Sequence, residues 1–172
     1  MSYAHEERFI IGVRIRVGVN SVQVIGLKGD FSFEEAVAHF TGLGGEVVLF
    51  DPSVVCGKDH ILSAVQHAER AFREGTNRAK NILTETVLYA AGERQIGRAL
   101  AKMKPKGNGG MVAALFDISD DLALDRLGAV RDDSLCDASE EKARNLGAEL
   151  FDGVSPEDAV LEMVAMVDLL KP

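Results

Sequence analysis

The chain contains no tryptophan, only two tyrosines and two cysteines, and four prolines in 172 residues. It also lacks any apolar run near the roughly 20 residues that a membrane-spanning helix needs, so no membrane partner is expected. Cys56 and Cys136 have neither a C-x-x-C spacing nor a matching histidine pair, which excludes a disulfide framework and a zinc site and leaves two free thiols. The opening MSYAHEERF is acidic and polar where a secretory signal is basic and then apolar, and we therefore expect a cytoplasmic protein. Positive charge is in deficit too: 19 Lys and Arg stand against 27 Asp and Glu, a net charge of −8, which on its own argues against a nucleic-acid partner.

What is present is the composition of a globular protein, 47% hydrophobic and 27% charged, at a length that suits one domain over residues 1–172 with a core of its own. The charge is segregated. From Lys58 to Lys106 ten cations face five acids, a net of +5, and the remainder carries −13. A cationic region on an acidic body can hold an RNA end locally while the rest repels nonspecific polyanion binding; a solvated surface with chance clustering is the plainer alternative.

The cationic region centres on Asn77 to Leu100, NRAKNILTETVLYAAGERQIGRAL. Asn81 is a helix cap, Glu85 falls in the first turn where a negative charge suits the helix dipole, and Ile82, Leu83, Val87 and Ala90 make an apolar face. Gly92 ends this helix. A second is expected from Glu93 or Arg94, with Ile96, Ala99, Leu100 and Met103 at core spacing and Arg94, Arg98 and Lys102 in one row facing solvent or a polyanion.

Asn77, Thr84, Glu85, Tyr89, Arg94, Gln95, Ile96, Ala99 and Leu100, at their spacings, resemble the signature of the PRPK-binding protein family, the small regulatory subunits of the KEOPS complex. Val47 to Phe72 is similar to that family's strand, D-P loop and long helix. The resemblance implies a non-catalytic subunit that binds and modulates the small atypical kinase or ATPase of KEOPS. It further implies help in presenting tRNA, through the single-stranded 3′ CCA end, for threonylcarbamoyladenosine synthesis, with no cofactor and no small-molecule substrate.

Along the chain, Phe9 to Val17 alternates as a strand and, through Gly18 and Asn20, is expected to pair as a hairpin with Val22 to Leu27. Ser32 and Glu35 form a capping box for a helix from Phe33 to Phe40, and Glu46 to Phe50 is short and apolar, the pattern of a central strand. A long helix runs from Lys58 or Asp59 to Glu74, with Ile61, Val65, Ala68 and Phe72 buried and Gln66, Arg70 and Arg73 on another face. Lys104 to Gly110 is a basic turn without the context of a nucleotide-binding loop. Met111 to Phe116 is a strand, Asp117 to Leu127 an acidic short helix, Leu127 to Val130 an edge segment, and Ser139 to Leu146 a helix. The sum is an α/β (α+β) fold: a small, mainly antiparallel sheet packed by several helices.

The last helix has Ser155 as cap and Pro156 at its first position, then AVLEMVAMVDLL. Val160, Met163, Val164 and Val167 fill one face; Leu161, Met166, Leu169 and Leu170 spread apolar surface beyond it, so the helix is either central in the core or covered by a partner protein. The expected tRNA contacts are Lys58, Arg70, Arg73, Arg78, Lys80, Arg94 and Arg98, and the expected partner interface is Leu161, Met166, Leu169 and Leu170. Few aromatics accompany those cations, so Arg planes or apolar pockets would replace base stacking. Tyr89 fits a core position, and Asn77, Thr84, Glu85 and Gln95 fit capping and corner-fixing roles. The one catalytic alternative is a small cysteine-dependent enzyme using Cys56 and His60 beside Asp51; no orienting third group or local signature accompanies them. A protein-interaction module without RNA contact is the other alternative.

Overall fold

The computed structural model describes residues 21–107, 109–119 and 121–170. The expected strand Phe9 to Val17, and with it the hairpin, lies outside the described residues. In order, the elements are β1 (Val22–Gly29), α1 (Phe33–Gly42), β2 (Glu46–Phe50), α2 (Lys58–Glu74), α3 (Ile82–Ala91), α4 (Ile96–Met103), β3 (Met111–Phe116), α5 (Leu124–Leu127), β4 (Ala129–Arg131), α6 (Glu140–Leu146) and α7 (Pro156–Met166). Short 3-10 turns follow β2 (Pro52–Val54), β4 (Asp133–Cys136) and α7 (Val167–Leu170).

The sheet has the order β2-β3-β1-β4 and all its described pairings are antiparallel, with Val22 opposite Phe116, Glu46 opposite Phe116 and Leu27 opposite Arg131. Because side chains alternate along a strand, the sheet feeds two cores. Val24, Val48, Phe50, Val112, Ala114 and Phe116 face α2, α3, α4, α6 and α7. Ile25, Leu27, Val47, Leu49, Ala113 and Leu115 face the opposite way, onto Ala36 and Phe40 of α1 and Leu127 of α5. The fold is α+β, as the sequence led us to expect.

Local signals set the helix ends. The Ser32–Glu35 capping box is complete, and Asn81, Ser139 and Ser155 each accept a backbone N–H from the third residue of their helix, caps worth about 1 kcal/mol apiece. Four expectations need correcting. β2 is an edge strand among the described strands, although all five of its residues are buried, because sheet faces on both sides are covered. The helix expected over Asp117 to Leu127 is confined to Leu124–Leu127, since Asp117 and Ala123 both sit at positive φ and interrupt the helical run. The helix expected from Glu93 or Arg94 starts at Ile96, after an extended Gln95. The last helix stops at Met166 and tightens into the turn Val167–Leu170.

α3 differs most from its reading. Instead of one apolar face it buries all ten of its residues, Thr84, Glu85 and Thr86 included, because α2, α4 and α7 pack around it.

Candidate nucleic-acid interface at the helix corner

The site is built where α3 turns into α4. Gly92 adopts a left-handed conformation, φ 65°, and its N–H closes the helix on Leu88 and Tyr89. A side chain there would be strained and would also meet Met163 of α7, whose Cγ and Sδ lie 2.8 Å from the position of a β-carbon. Glu93, Arg94 and Gln95 then cross to α4. Lys102 does not join Arg94 and Arg98 in an outward row, contrary to the sequence reading. Its Nζ reaches back to donate to the Ala91 carbonyl at 2.7 Å and lies 3.6 Å from Glu93, so it caps the end of α3. Burial pulls its pKa down, against the opposing pull of Glu93.

A recess of about 410 Å³ opens at this corner, lined by Arg78, Gly92, Glu93, Arg94, Gln95, Arg98 and Leu170. Arg78 arrives from the loop between α2 and α3, and that loop is pinned by Glu85. The Glu85 carboxylate, buried in α3, accepts the backbone N–H of Arg78 at 3.0 Å and of Ala79 at 2.7 Å. Asn77 adds a hydrogen bond from its side-chain amide to the Ala79 carbonyl at 2.9 Å, and Asn81 caps Thr84. Glu85 therefore fixes the preceding loop more than it complements a helix dipole. Three exposed guanidiniums share the recess with one carboxylate, Glu93, which is drawn toward Lys102. That arrangement suits an oxyanion.

The other expected cations lie elsewhere. Lys58, at the first turn of α2, is paired with Asp133 at 2.5 Å. The Asp133 carboxyl is held well below the usual range, chiefly by the Arg131 side chain, then by Lys58 and the Gly26 amide against the cost of burial. Arg70 is twelve residues further along α2, about 18 Å at helical rise. It donates to Asp168 at 2.7 Å. Arg73 is exposed in the last turn of α2, and Lys80 is exposed just before the Asn81 cap. Of the seven, Arg78, Arg94 and Arg98 are the ones brought together.

On α7 the core-facing residues are Val160, Val164 and, in the turn, Val167, with Met163 packed against them. Leu161 is half-buried, whereas Met166, Leu169 and Leu170 are 43%, 75% and 44% exposed. Sequence reasoning missed Asp168, which joins this turn to Tyr89 and Arg70; no signal within the sequence pairs residues 79 and 98 positions apart.

A family model described as kinase binding protein CGI-121 matches residues 41–165, most of the chain. The chain belongs to the CGI-121 family. No curated protein matches it. The family match runs from before β2 to Ala165, one residue short of the end of α7, and so includes every wall of the recess except Leu170; Met166 and Leu169 also lie just beyond it.

In this CGI-121 chain the alternative catalytic pair is part of the core. His60 and Cys56 are both fully buried. His60 Nδ1 accepts the backbone N–H of Cys56 itself at 3.1 Å, which assigns the ring hydrogen to Nε2, and Nε2 donates to the Ala90 carbonyl at 2.7 Å. With both nitrogens engaged by backbone, the imidazole has no lone pair to offer the thiol. Burial lowers the His60 pKa to about 4, and burial raises that of the Cys56 thiol, whose Sγ contacts the Ser139 carbonyl at 3.7 Å. The thiol is thus shifted away from the thiolate form that a nucleophile requires. Asp51 caps the turn after β2 through Ser53 and accepts the Lys106 N–H at 2.9 Å. Among the described residues no His, Cys, Asp or Glu cluster suits a metal ion, and no helix is long and apolar enough to cross a membrane.

Proposed function

We propose that this CGI-121 family member is a non-catalytic accessory subunit of the KEOPS complex, acting in the cytoplasm. It binds and modulates the small atypical kinase or ATPase subunit and helps recruit tRNA through the 3′ CCA end for threonylcarbamoyladenosine synthesis. The observation that carries the RNA part is the recess at the helix corner. Three arginines from two separate segments, Arg78, Arg94 and Arg98, converge on it in a protein whose net charge is −8. Phosphates of a single strand would lie against the guanidiniums, and Arg planes would take the place of aromatic stacking, since Tyr89 is buried in the core. The kinase part is supported by the family and by the exposed apolar side chains Met166, Leu169 and Leu170 at the end of α7, flanked by the half-buried Leu161.

The test is binding of tRNA with and without its CCA end across a salt series, for the wild-type chain and for Arg94→Glu/Arg98→Glu. The reading requires CCA-dependent binding that the double reversal weakens, with a shallower salt dependence in the binding that remains. Equal binding of both tRNAs, or an unaffected double reversal, would remove the RNA role and leave a protein-interaction module.

A further inference from the structure

The turn Val167–Leu170 is fastened to the body of the protein through Asp168. Its Oδ1 accepts the Tyr89 hydroxyl at 2.5 Å, and its Oδ2 accepts from Arg70 at 2.7 Å with His67 Nδ1 at 3.0 Å. Tyr89 is buried and its ring stacks on His67, centroids 5.2 Å apart and 29° between planes. His67 Nδ1 also lies 2.8 Å from the Arg70 guanidinium. It donates to the carboxylate when it carries the hydrogen and accepts from Arg70 when it does not.

A guanidinium, a phenol and an imidazole converging from two packed helices form a donor set for any oxyanion, and here the chain fills it with its own carboxylate. Two residues later the same turn places Leu170 in the wall of the Arg78, Arg94 and Arg98 recess. One short segment thus occupies two adjoining places. The ion pair that holds it is partly open to solvent, with Arg70 45% and Asp168 31% exposed, and pairs of that kind are weak. A ligand with several phosphates can compete for them.

We infer that the C-terminal turn is an internal competitor for phosphate: Asp168 fills a second anion cradle made by Arg70, Tyr89 and His67. When the turn withdraws, the cradle takes a phosphate oxyanion and Leu170 leaves the recess, so that Arg70 joins Arg78, Arg94 and Arg98 along one ligand. Where that ligand is RNA, the inference rests on the role proposed above for the recess. It also gives the kinase partner a means of control, because Leu169, on the proposed partner face, belongs to the same turn. A partner that binds the withdrawn turn more tightly would shift the equilibrium toward RNA binding.

The experiment measures affinity for two probes, a single-stranded RNA oligonucleotide ending in CCA and inorganic pyrophosphate. Asp168→Ala should raise affinity for both at least about fivefold and steepen the logarithmic salt slope for RNA by about 0.7, one added phosphate contact on a single strand. Glu162→Gln removes the same charge from an exposed site on α7 and should change affinity less than about twofold. Adding Tyr89→Phe to Asp168→Ala should take back part of the gain, because the phenol serves the phosphate as it served the carboxylate. Asp168→Asn keeps the size of the side chain and decides the matter with a smaller gain if Asp168→Ala does not fold. The inference is overturned if folded Asp168 variants gain affinity for neither probe, if Glu162→Gln gains as much, or if Tyr89→Phe leaves the gain intact. A gain for pyrophosphate without RNA binding keeps the cradle and removes the RNA role. Loss of RNA binding in Arg94→Glu/Arg98→Glu, with no gain for either probe in Asp168→Ala, removes the cradle and keeps that role.

Discussion

The ammonium group of Lys102 donates to the backbone carbonyl of Ala91, 2.7 Å away across the corner between α3 and α4. A cation at the C-terminal end of a helix satisfies an orphan carbonyl and favours the dipole. Lys102→Met keeps the aliphatic stem and removes the donor, and should cost about 1–2 kcal/mol of unfolding free energy. Urea denaturation would show this as a lower midpoint with an unchanged slope. Binding at the recess should fall less than for Arg98→Glu, since Lys102 does not line it.

His60 makes stability depend on pH. Its pKa is about 4 in the folded protein and near 6.5 when unfolded, so between those values the unfolded chain binds the extra proton. This contribution to stability is complete above pH 6.5, is lost as pH falls toward 4, and amounts to roughly 3 kcal/mol. Comparing wild type with His60→Gln isolates it. The stability gap between the two should narrow from pH 7.5 to pH 4.5, and a constant gap would contradict the buried neutral ring. In the same native protein Cys56 should react slowly with iodoacetamide at pH 7.5 and rapidly once urea unfolds it.

Glu85 holds the loop that presents Arg78. Glu85→Ala leaves the N–H groups of Arg78 and Ala79 without their acceptor and should cost about 2–4 kcal/mol. The recess depends on where its three arginines are placed and not on their charge alone. Hence Glu85→Ala, although it removes a negative charge, should weaken RNA binding, and calorimetry together with the salt series would separate this from a simple charge effect.

The proposed partner face is tested by Leu169→Arg and Met166→Arg. Both side chains are exposed, so stability should move within about 0.5 kcal/mol. Affinity for the kinase subunit should fall at least tenfold, about 1.4 kcal/mol, in a co-purification or titration assay. Intact binding by both folded variants would place the kinase elsewhere on the protein.

The elements were legible where a local rule decides them. Ser32 with Glu35, Asn81, Ser155 with Pro156, and Gly92 as a stop each act within a few residues, and the structure uses every one. Periodicity did less well where packing is long-range. It gave α3 one apolar face, yet a helix enclosed by neighbours buries Thr84, Glu85 and Thr86 as well. It also put Lys102 in a row with Arg94 and Arg98 by spacing alone, and that row fails because Arg94 precedes the helix and Ala91 draws Lys102 inward. The recess itself was half visible. Its arginines stood out by charge, but Leu170 and the Asp168 attachment depend on how the chain returns, which residue spacing does not encode.

The enclosure of α3 also orders the ways in which the molecule opens. A helix with no solvent face exchanges its amide hydrogens only through large-scale unfolding, so α3 should be among the slowest-exchanging segments. The turn Val167–Leu170, with two exposed leucines and an attachment centred on Asp168, can exchange through small local openings at far lower cost. One wall of the recess can therefore fluctuate while the helix that anchors the rest of it stays closed.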